Sequence, residues 1–135
     1  MIVLSKEQIL LIHEHLIERY GGSHGVRDDG LLDSALHAPF QSFGGHDFFP
    51  TTVDKAVRLC VGLVHNHPFQ DGNKRVGAMA LLTMLDLNHI ELRTNSQELA
   101  DVILKLAADE INDEFLLQWV EDRIDGKNPA QGDQP

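Results

Sequence analysis

The segment from Asn73 to Leu87 constrains the fold most, because apolar residues occupy nearly every side of it when it is drawn as a helix. A helix without a polar face belongs in the interior of a protein, wrapped by other elements. Its apolar residues are Val76, Ala78, Met79, Ala80, Leu81, Leu82, Met84, Leu85 and Leu87. The sequence therefore predicts a fold built around one buried central helix.

Other stretches repeat apolar residues at helical spacing and begin with residues that can cap a helix. The first two predicted helices cover residues 5–20, with the capping box Ser5 and Gln8, and residues 31–37. The third is capped by Thr52 and ends near Asn66, and the fourth covers residues 73–87. The last two begin after Asn95 and at Asn112. Residues 91–94 are extended at most. We predict an all-α bundle over residues 1–124. Residues 125–135 lack apolar content and are predicted to be a disordered tail.

Composition narrows the functional classes. The chain has 135 residues, 42% of them hydrophobic, which is ordinary for one globular domain. Its net charge of −10 argues against direct binding of nucleic acid. Cys60 is the single cysteine, which excludes an intrachain disulfide, and we interpret it as a small core residue. We find no signal peptide and no apolar run of about 20 residues, so we expect a cytoplasmic protein with no membrane partner.

The polar run from His67 to Arg75 lies at the start of the apolar helix. A helix N-terminus binds anions, because its first N–H groups have no intrahelical partner and the helix dipole is positive there. Lys74 and Arg75 are disfavoured by that dipole, which indicates that a bound anion compensates them. Gly72 permits a turn in which N–H groups converge on the anion, and Asn73 adds another amide. The guanidinium of Arg75 fits phosphate oxygens.

Three other features of this run have both a structural and a functional interpretation. His67 is a candidate general base, because imidazole titrates near neutral pH, although a lone histidine near a helix end is more often structural or solvated. Asp71 is a candidate Mg²⁺ ligand, although Asp before Gly is also a common turn or cap residue. Phe69 has polar neighbours, and burial of its ring would anchor the loop and orient His67.

The letters His65-Asn66-His67 also suggest an HNH nuclease, but their spacing and the acidic charge oppose that interpretation.

The run resembles the signature of the Fic superfamily, His-x-Phe-x-Asp/Glu-Gly/Ala-Asn-Gly/Lys-Arg, at every position from His67 to Arg75. Upstream residues are similar to the death-on-curing (Doc) branch of that superfamily. They are Arg27-Asp28-x-Gly30-Leu31-Leu32-x-Ser34-Ala35-Leu36, then Phe43-Gly44-Gly45 and Pro50-Thr51. The resemblance covers roughly residues 3–120 and implies an all-α fold with a loop, residues 67–75, between two helices. We call residues 67–75 the signature loop.

The resemblance implies a site that uses ATP and Mg²⁺. In that site His67 would be the base that activates a hydroxyl of the target, and Asp71 would be the metal ligand. The cradle for the phosphates of the nucleotide would consist of Gly72, Asn73, Lys74 and Arg75.

Residues 40–50, which we call the flap, contain four phenylalanines together with glycine and proline. A loop of this kind either tucks its apolar side chains under the domain or presents them to a partner. The resemblance places the flap where the family docks its target chain. The candidate docking residues are Phe43, Gly44, Gly45 and His46.

Two positions differ from the superfamily members that transfer AMP. Those members usually carry Gly where this chain has Lys74, and a second Arg where it has Ala78. The lysine is the form found in the Doc branch, and the resemblance links it to an inverted nucleotide that presents its γ-phosphate to the target. The reaction implied is phosphorylation rather than AMP transfer.

The resemblance therefore implies a toxin of a toxin–antitoxin pair. It would transfer the γ-phosphate of ATP to a Ser/Thr hydroxyl of a protein target, by similarity elongation factor Tu, and so block translation. The chain lacks an inhibitory-helix motif of the form Ser/Thr-x-x-x-Glu-Gly/Asn, so the antitoxin is expected on another polypeptide. AMP transfer by the same residues and a catalytically inert binding protein remain open as alternatives.

Overall fold

The computed structural model describes residues 1–124. Its elements are α1 (Lys6–Tyr20), α2 (Asp29–His37), a 3₁₀ turn (Ala38–Phe40), β1 (Ser42–Phe43), β2 (His46–Asp47), α3 (Thr52–Asn66), α4 (Asn73–Leu87), α5 (Ser96–Ala107) and α6 (Asp113–Glu121). This arrangement confirms the prediction of an all-α fold. In the described part of the chain, no helix combines the length and apolarity needed to cross a membrane. The predicted tail, 125–135, lies outside the described residues.

Side-chain caps set most of the helix starts, as the sequence predicts. The predicted caps that the structure contains are Ser5 with Gln8 for α1, Asn95 for α5 and Asn112 for α6. The prediction that Thr52 caps α3 is wrong by one residue. Thr51 has the extended backbone of a cap, and its hydroxyl accepts the N–H of Asp54 at 3.0 Å. Two adjacent threonines offer the same chemistry, so only the backbone conformation distinguishes them.

Helices α3 and α4 form the centre of the fold. α3 buries an almost unbroken run of residues from Lys55 to Val64. α4 approaches it so closely that a Cβ added at Gly77 would lie 2.6 Å from Cγ2 of Val64. α4 is less enclosed than its apolar sequence suggests, since Met79 is 38% exposed. The buried centre is therefore this pair, with α3 the more deeply enclosed of the two.

Cys60 lies on α3 inside this core and is fully buried. Burial raises the pKa of its thiol to about 12, because an apolar environment disfavours the charged thiolate. The thiol therefore stays protonated at neutral pH. Its place matches the predicted role of a small core residue.

The flap folds into a short hairpin instead of an irregular loop. Ser42 pairs with Asp47 and Phe43 with His46 across an antiparallel two-stranded sheet. Gly44 and Gly45 form the turn with φ of 59° and 81°, values that L side chains rarely adopt. The flap presents three of its four phenylalanines to solvent, with Phe40, Phe43 and Phe48 exposed by 41%, 79% and 58%. Of the two interpretations above, the exposed one fits this geometry.

Candidate active site

The signature loop begins where α3 ends. His67 follows the last residue of the helix with φ 53° and ψ 51°, in the left-handed region, and Pro68 cannot continue the helix. Arg27 fixes this end of α3, because its Nε donates to the His67 carbonyl at 2.8 Å and its Nη2 to the Asn66 carbonyl at 3.1 Å. The backbone of the candidate base is therefore held by a cation from a neighbouring loop.

The side chain of Asn73 contacts the imidazole of His67 and holds it in place. Its side chain is buried, and its Oδ1 accepts the Phe69 N–H at 3.0 Å while its Nδ2 donates to the Phe69 carbonyl at 3.1 Å. These two bonds determine which end of the amide is nitrogen. That nitrogen also lies 3.0 Å from Nδ1 of His67, so Nδ1 is the acceptor. The sequence predicts a role for the amide of Asn73 at the helix start, and this role of its side chain is visible only in the structure.

The contact with Asn73 determines the tautomer of His67. A neutral imidazole carries one proton, and the nitrogen that accepts a hydrogen bond is the one without it. The neutral ring therefore carries its proton on Nε2 in this arrangement. For Nε2 to accept a proton, the ring has to change to the Nδ1–H form, which cannot keep an N–H donor as its partner.

Phe69 and His13 form the floor of the signature loop. Phe69 is fully buried, and the ring of His13 on α1 stacks on it with centroids 3.9 Å apart and planes 10° apart. His13 is also buried, and its Nε2 lies 2.8 Å from the Asp71 carbonyl, to which it donates. His13 is not among the residues that the sequence predicts for the site, although its spacing from Ile9 and Leu16 places it on the buried side of α1.

The carboxylate of Asp71 already has two partners. Oδ2 accepts the N–H of Ser23 at 3.2 Å, and Oδ1 accepts the N–H of Gly72 at 3.1 Å. A carboxylate offers about four acceptor sites, so it retains capacity for a cation. Among residues 1–124, no group of three or more His, Cys, Asp or Glu side chains is placed to hold a metal ion. The arrangement fits Mg²⁺ held mainly by phosphates and water, with one carboxylate from the protein.

Residues 21–28 lie along one side of the signature loop. Gln70 donates its N–H to the Gly25 carbonyl at 3.0 Å, and Arg27 and Asp28 both donate to the Pro68 carbonyl. The approach is close at Gly22, where an added Cβ would lie 2.9 Å from Oδ2 of Asp71. The sequence predicts no helix between residues 20 and 31. The bonds between residues 21–28 and the signature loop join segments far apart in the chain, so no local pattern in the sequence indicates them.

The N-terminus of α4 differs from the other helix starts. Each of the other five α-helices has a side-chain cap, whereas α4 begins after Gly72 with none. The first helical bond runs from the Val76 N–H to the Gly72 carbonyl, so the three N–H groups before it have no intrahelical partner. These N–H groups belong to residues 73–75, which are three of the four residues of the predicted phosphate cradle, 72–75.

The two cations of the cradle are both exposed. Within residues 1–124, neither Lys74 nor Arg75 forms an ion pair with a carboxylate. The guanidinium of Arg75 lies 4.4 Å from the ring centroid of Tyr20, at the end of α1. Uncompensated cations beside free N–H groups give a positive site on a protein of net charge −10, which suits an anionic ligand.

Comparison with known proteins finds a matching family and two similar proteins. Residues 3–85 match the Fic/DOC family, and the match includes the whole signature loop. The chain is 42% identical over 73 residues to Toxin Doc of Mycolicibacterium smegmatis, an alignment that covers 54% of this chain and 56% of that protein. It is 28% identical over 109 residues to Protein kinase doc of Escherichia phage P1, covering 81% of this chain and 85% of the relative. The chain thus spans little more than half the length of the first relative and most of the second.

Proposed function

The chain belongs to the Fic/DOC family, and we propose that it is a Doc-like toxin that transfers the γ-phosphate of ATP to a Ser/Thr hydroxyl of a protein target. The names of the two relatives, a toxin and a protein kinase, support both parts of this proposal. Lys74 and Ala78 support γ-phosphate transfer over AMP transfer, because they differ from the AMP-transferring pattern.

One observation carries the proposal: His67 is held beside a helix start that has no cap. Its Nδ1 lies 3.0 Å from the side chain of Asn73, the first residue of α4. Free N–H groups and two exposed cations can bind a triphosphate there, within the same short segment as a titratable ring. Phosphoryl transfer depends mostly on positioning and charge neutralisation, which this arrangement provides.

Each residue of the signature loop has a role in this proposal. Residues 72–75 hold the phosphates through backbone N–H groups and the two cations. Asp71 holds Mg²⁺, which when bound neutralises phosphate charge. His67 accepts the proton of the target hydroxyl at Nε2, after its ring or the Asn73 amide moves and the ring takes the Nδ1–H form.

The proposal includes two protein partners. Elongation factor Tu is the first target to test, and its modification would block translation. A cognate antitoxin on a separate chain would inhibit the toxin. The flap is the surface on which the target chain docks, since three of its four phenylalanines are exposed.

The test incubates the protein and Mg²⁺ with purified elongation factor Tu and with cytosolic extract, using ATP labelled at the γ- or the α-phosphate. We expect transfer of the γ-label only, with a mass gain of one phosphate. Transfer of the α-label would establish AMP transfer instead. No transfer to any protein, with ATP still bound, would indicate an inert binding protein.

A pair of histidine variants assigns the activity to the site. His67→Ala should lower transfer by about 100-fold or more while leaving ATP binding unchanged, because His67 provides the base and residues 72–75 bind the phosphates. His15→Ala, which changes an exposed histidine of α1, should leave both unchanged. Equal activity of the two variants would contradict the role of His67.

A further inference from the structure

Three polar or charged residues are buried in the described part of the chain: His13, Lys55 and Asn73. His13 and Asn73 support the signature loop. Lys55 lies on α3 and contacts the flap instead. We propose that Lys55 is a positioning residue that holds the flap in the orientation needed to dock the protein target. This inference rests on the proposed function, which makes the flap the docking surface.

All polar partners of the Lys55 ammonium belong to the flap. Its Nζ donates to Oδ2 of Asp47 at 3.3 Å and to the carbonyl of Phe49, and it lies 5.7 Å from the ring centroid of Phe40. The side chain of Lys55 is 4% exposed, so water cannot replace these partners. A buried charge without partners is unfavourable, and Lys55 therefore favours the one flap position that supplies them.

The other polar bonds of the flap are internal to it or to its immediate neighbour in sequence. The strand pairing joins residues 42–47, Phe48 donates to the Gln41 carbonyl at 3.0 Å, and Gln41 donates to the Ala38 carbonyl at 3.3 Å. These bonds shape the hairpin but do not orient it on α3. A second link to α3, Arg58 at 5.8 Å from the Phe49 ring, is a cation–π contact at a half-buried residue. Lys55 is thus the buried polar link between hairpin and helix.

α3 connects this anchor with the candidate base. Lys55 and His67 are twelve residues apart along α3 and its C-terminal cap, which corresponds to about 18 Å at 1.5 Å per residue. A rigid helix keeps that distance constant. A target chain that docks on the flap is therefore presented at a defined distance from the imidazole, provided that the flap stays fixed to Lys55.

The kinetic test compares Lys55→Met with Lys55→Arg and with Lys105→Met, which changes an exposed lysine of α5. Met is unbranched like lysine and one heavy atom shorter, and it removes the charge. We expect Lys55→Met to raise KM for the protein target about tenfold, with KM for ATP and kcat within about twofold of wild type. Lys55→Arg should restore part of the target affinity, and Lys105→Met should change nothing. An unchanged KM for the protein target would overturn the proposal. So would a Lys55→Met variant in which both KM values rise and kcat falls to a similar extent.

Amide hydrogen exchange tests the anchor without any activity. In Lys55→Met, exchange at residues 41–49 should become about tenfold faster while exchange at residues 67–75 stays as in wild type. Asp47→Asn changes a half-exposed side chain that cannot disturb the core. It should also accelerate exchange at residues 41–49, by a smaller factor, and it serves as the test if Lys55→Met does not fold. Unchanged exchange in the flap overturns the anchor. If wild type transfers nothing, the proposed function fails, whereas this experiment still decides the role of Lys55.

Discussion

The signature loop and the flap differ in how the fold holds them. Two buried polar side chains, on α1 and α4, bond directly to the signature loop, and residues 21–28 bond along its backbone. The flap has one buried anchor on α3 and exposes its apolar residues, Phe43 by 79%. Transfer chemistry needs groups fixed within a fraction of an ångström, whereas a docking surface needs accessible apolar area. Two of the three buried polar or charged side chains in the described part of the chain therefore support the region where geometry matters most.

Asn73→Ala should have the largest effect, because it removes three bonds from the signature loop. It leaves the Phe69 N–H and carbonyl buried without partners, and we expect a loss of about 3 kcal/mol in the free energy of unfolding. Transfer should fall at least about 100-fold, because the loop that carries His67 and the phosphate-binding N–H groups loses the two Asn73 bonds that fix its shape at Phe69. Denaturant unfolding and the labelled-ATP assay measure both. The matched control is Asn88→Ala at the other end of α4, which loses bonds to the Met84 and Ile2 carbonyls and should leave transfer unchanged.

His13→Phe separates the ring of His13 from its hydrogen bond. Phenylalanine keeps the stack on Phe69 and removes the donor to the Asp71 carbonyl, so we expect a loss of about 2 kcal/mol in the free energy of unfolding. Affinity for ATP with Mg²⁺ should fall about tenfold, because the Asp71–Gly72 turn loosens. His15→Phe at an exposed position of α1 serves as the control. Wild-type ATP affinity in His13→Phe would show that the turn needs no support from α1.

Gly22→Ala tests the contact between residues 21–28 and the signature loop. The new Cβ would lie 2.9 Å from Oδ2 of Asp71, at a φ of 115°. At Gly21, with a φ of 87°, a Cβ meets nothing within 4 Å, so Gly21→Ala reports backbone strain without the contact. We expect Gly22→Ala to lose about 1 kcal/mol more than Gly21→Ala and to need more Mg²⁺ for half-maximal transfer. Identical behaviour of the two variants would show that Asp71 does not depend on this loop.

Phe43→Ala should have the smallest effect on stability. The ring is 79% exposed, so the free energy of unfolding should change by less than about 0.5 kcal/mol. KM for the protein target should rise several-fold, by about 1 kcal/mol of docking energy, while KM for ATP stays constant. If target KM is unchanged as well, the exposed phenylalanines of the flap do not contact the target.

Local patterns in the sequence were sufficient to predict the helices and the position of the signature loop between two of them. Apolar spacing and caps such as Ser5 and Asn95 depend on neighbours within one or two turns, so their physics is visible in the sequence. The one-residue error at Thr51 and Thr52 arises because adjacent threonines have equal capping chemistry. The flap hairpin was missed because two-residue strands leave no alternation pattern.

The supports of the site were less visible, because each joins residues far apart in the chain. His13 and Asp71 are 58 positions apart, and Arg27 and His67 are 40 apart. A lysine such as Lys55 is normally expected at the surface, and only the packing of the flap over α3 buries it. The proposed chemistry of the site thus rests on nine consecutive residues, whereas the residues that hold them in place are visible only in the fold.

The most direct test of the account titrates ATP with Mg²⁺ into the protein and follows its backbone amide resonances. If phosphates bind at the start of α4, the largest shifts should belong to the amides of residues 72–75, with a further change at the His67 ring nitrogens. Shifts confined to other parts of the chain, or none at saturating ATP, would contradict the central claim that this uncapped helix start is the nucleotide site.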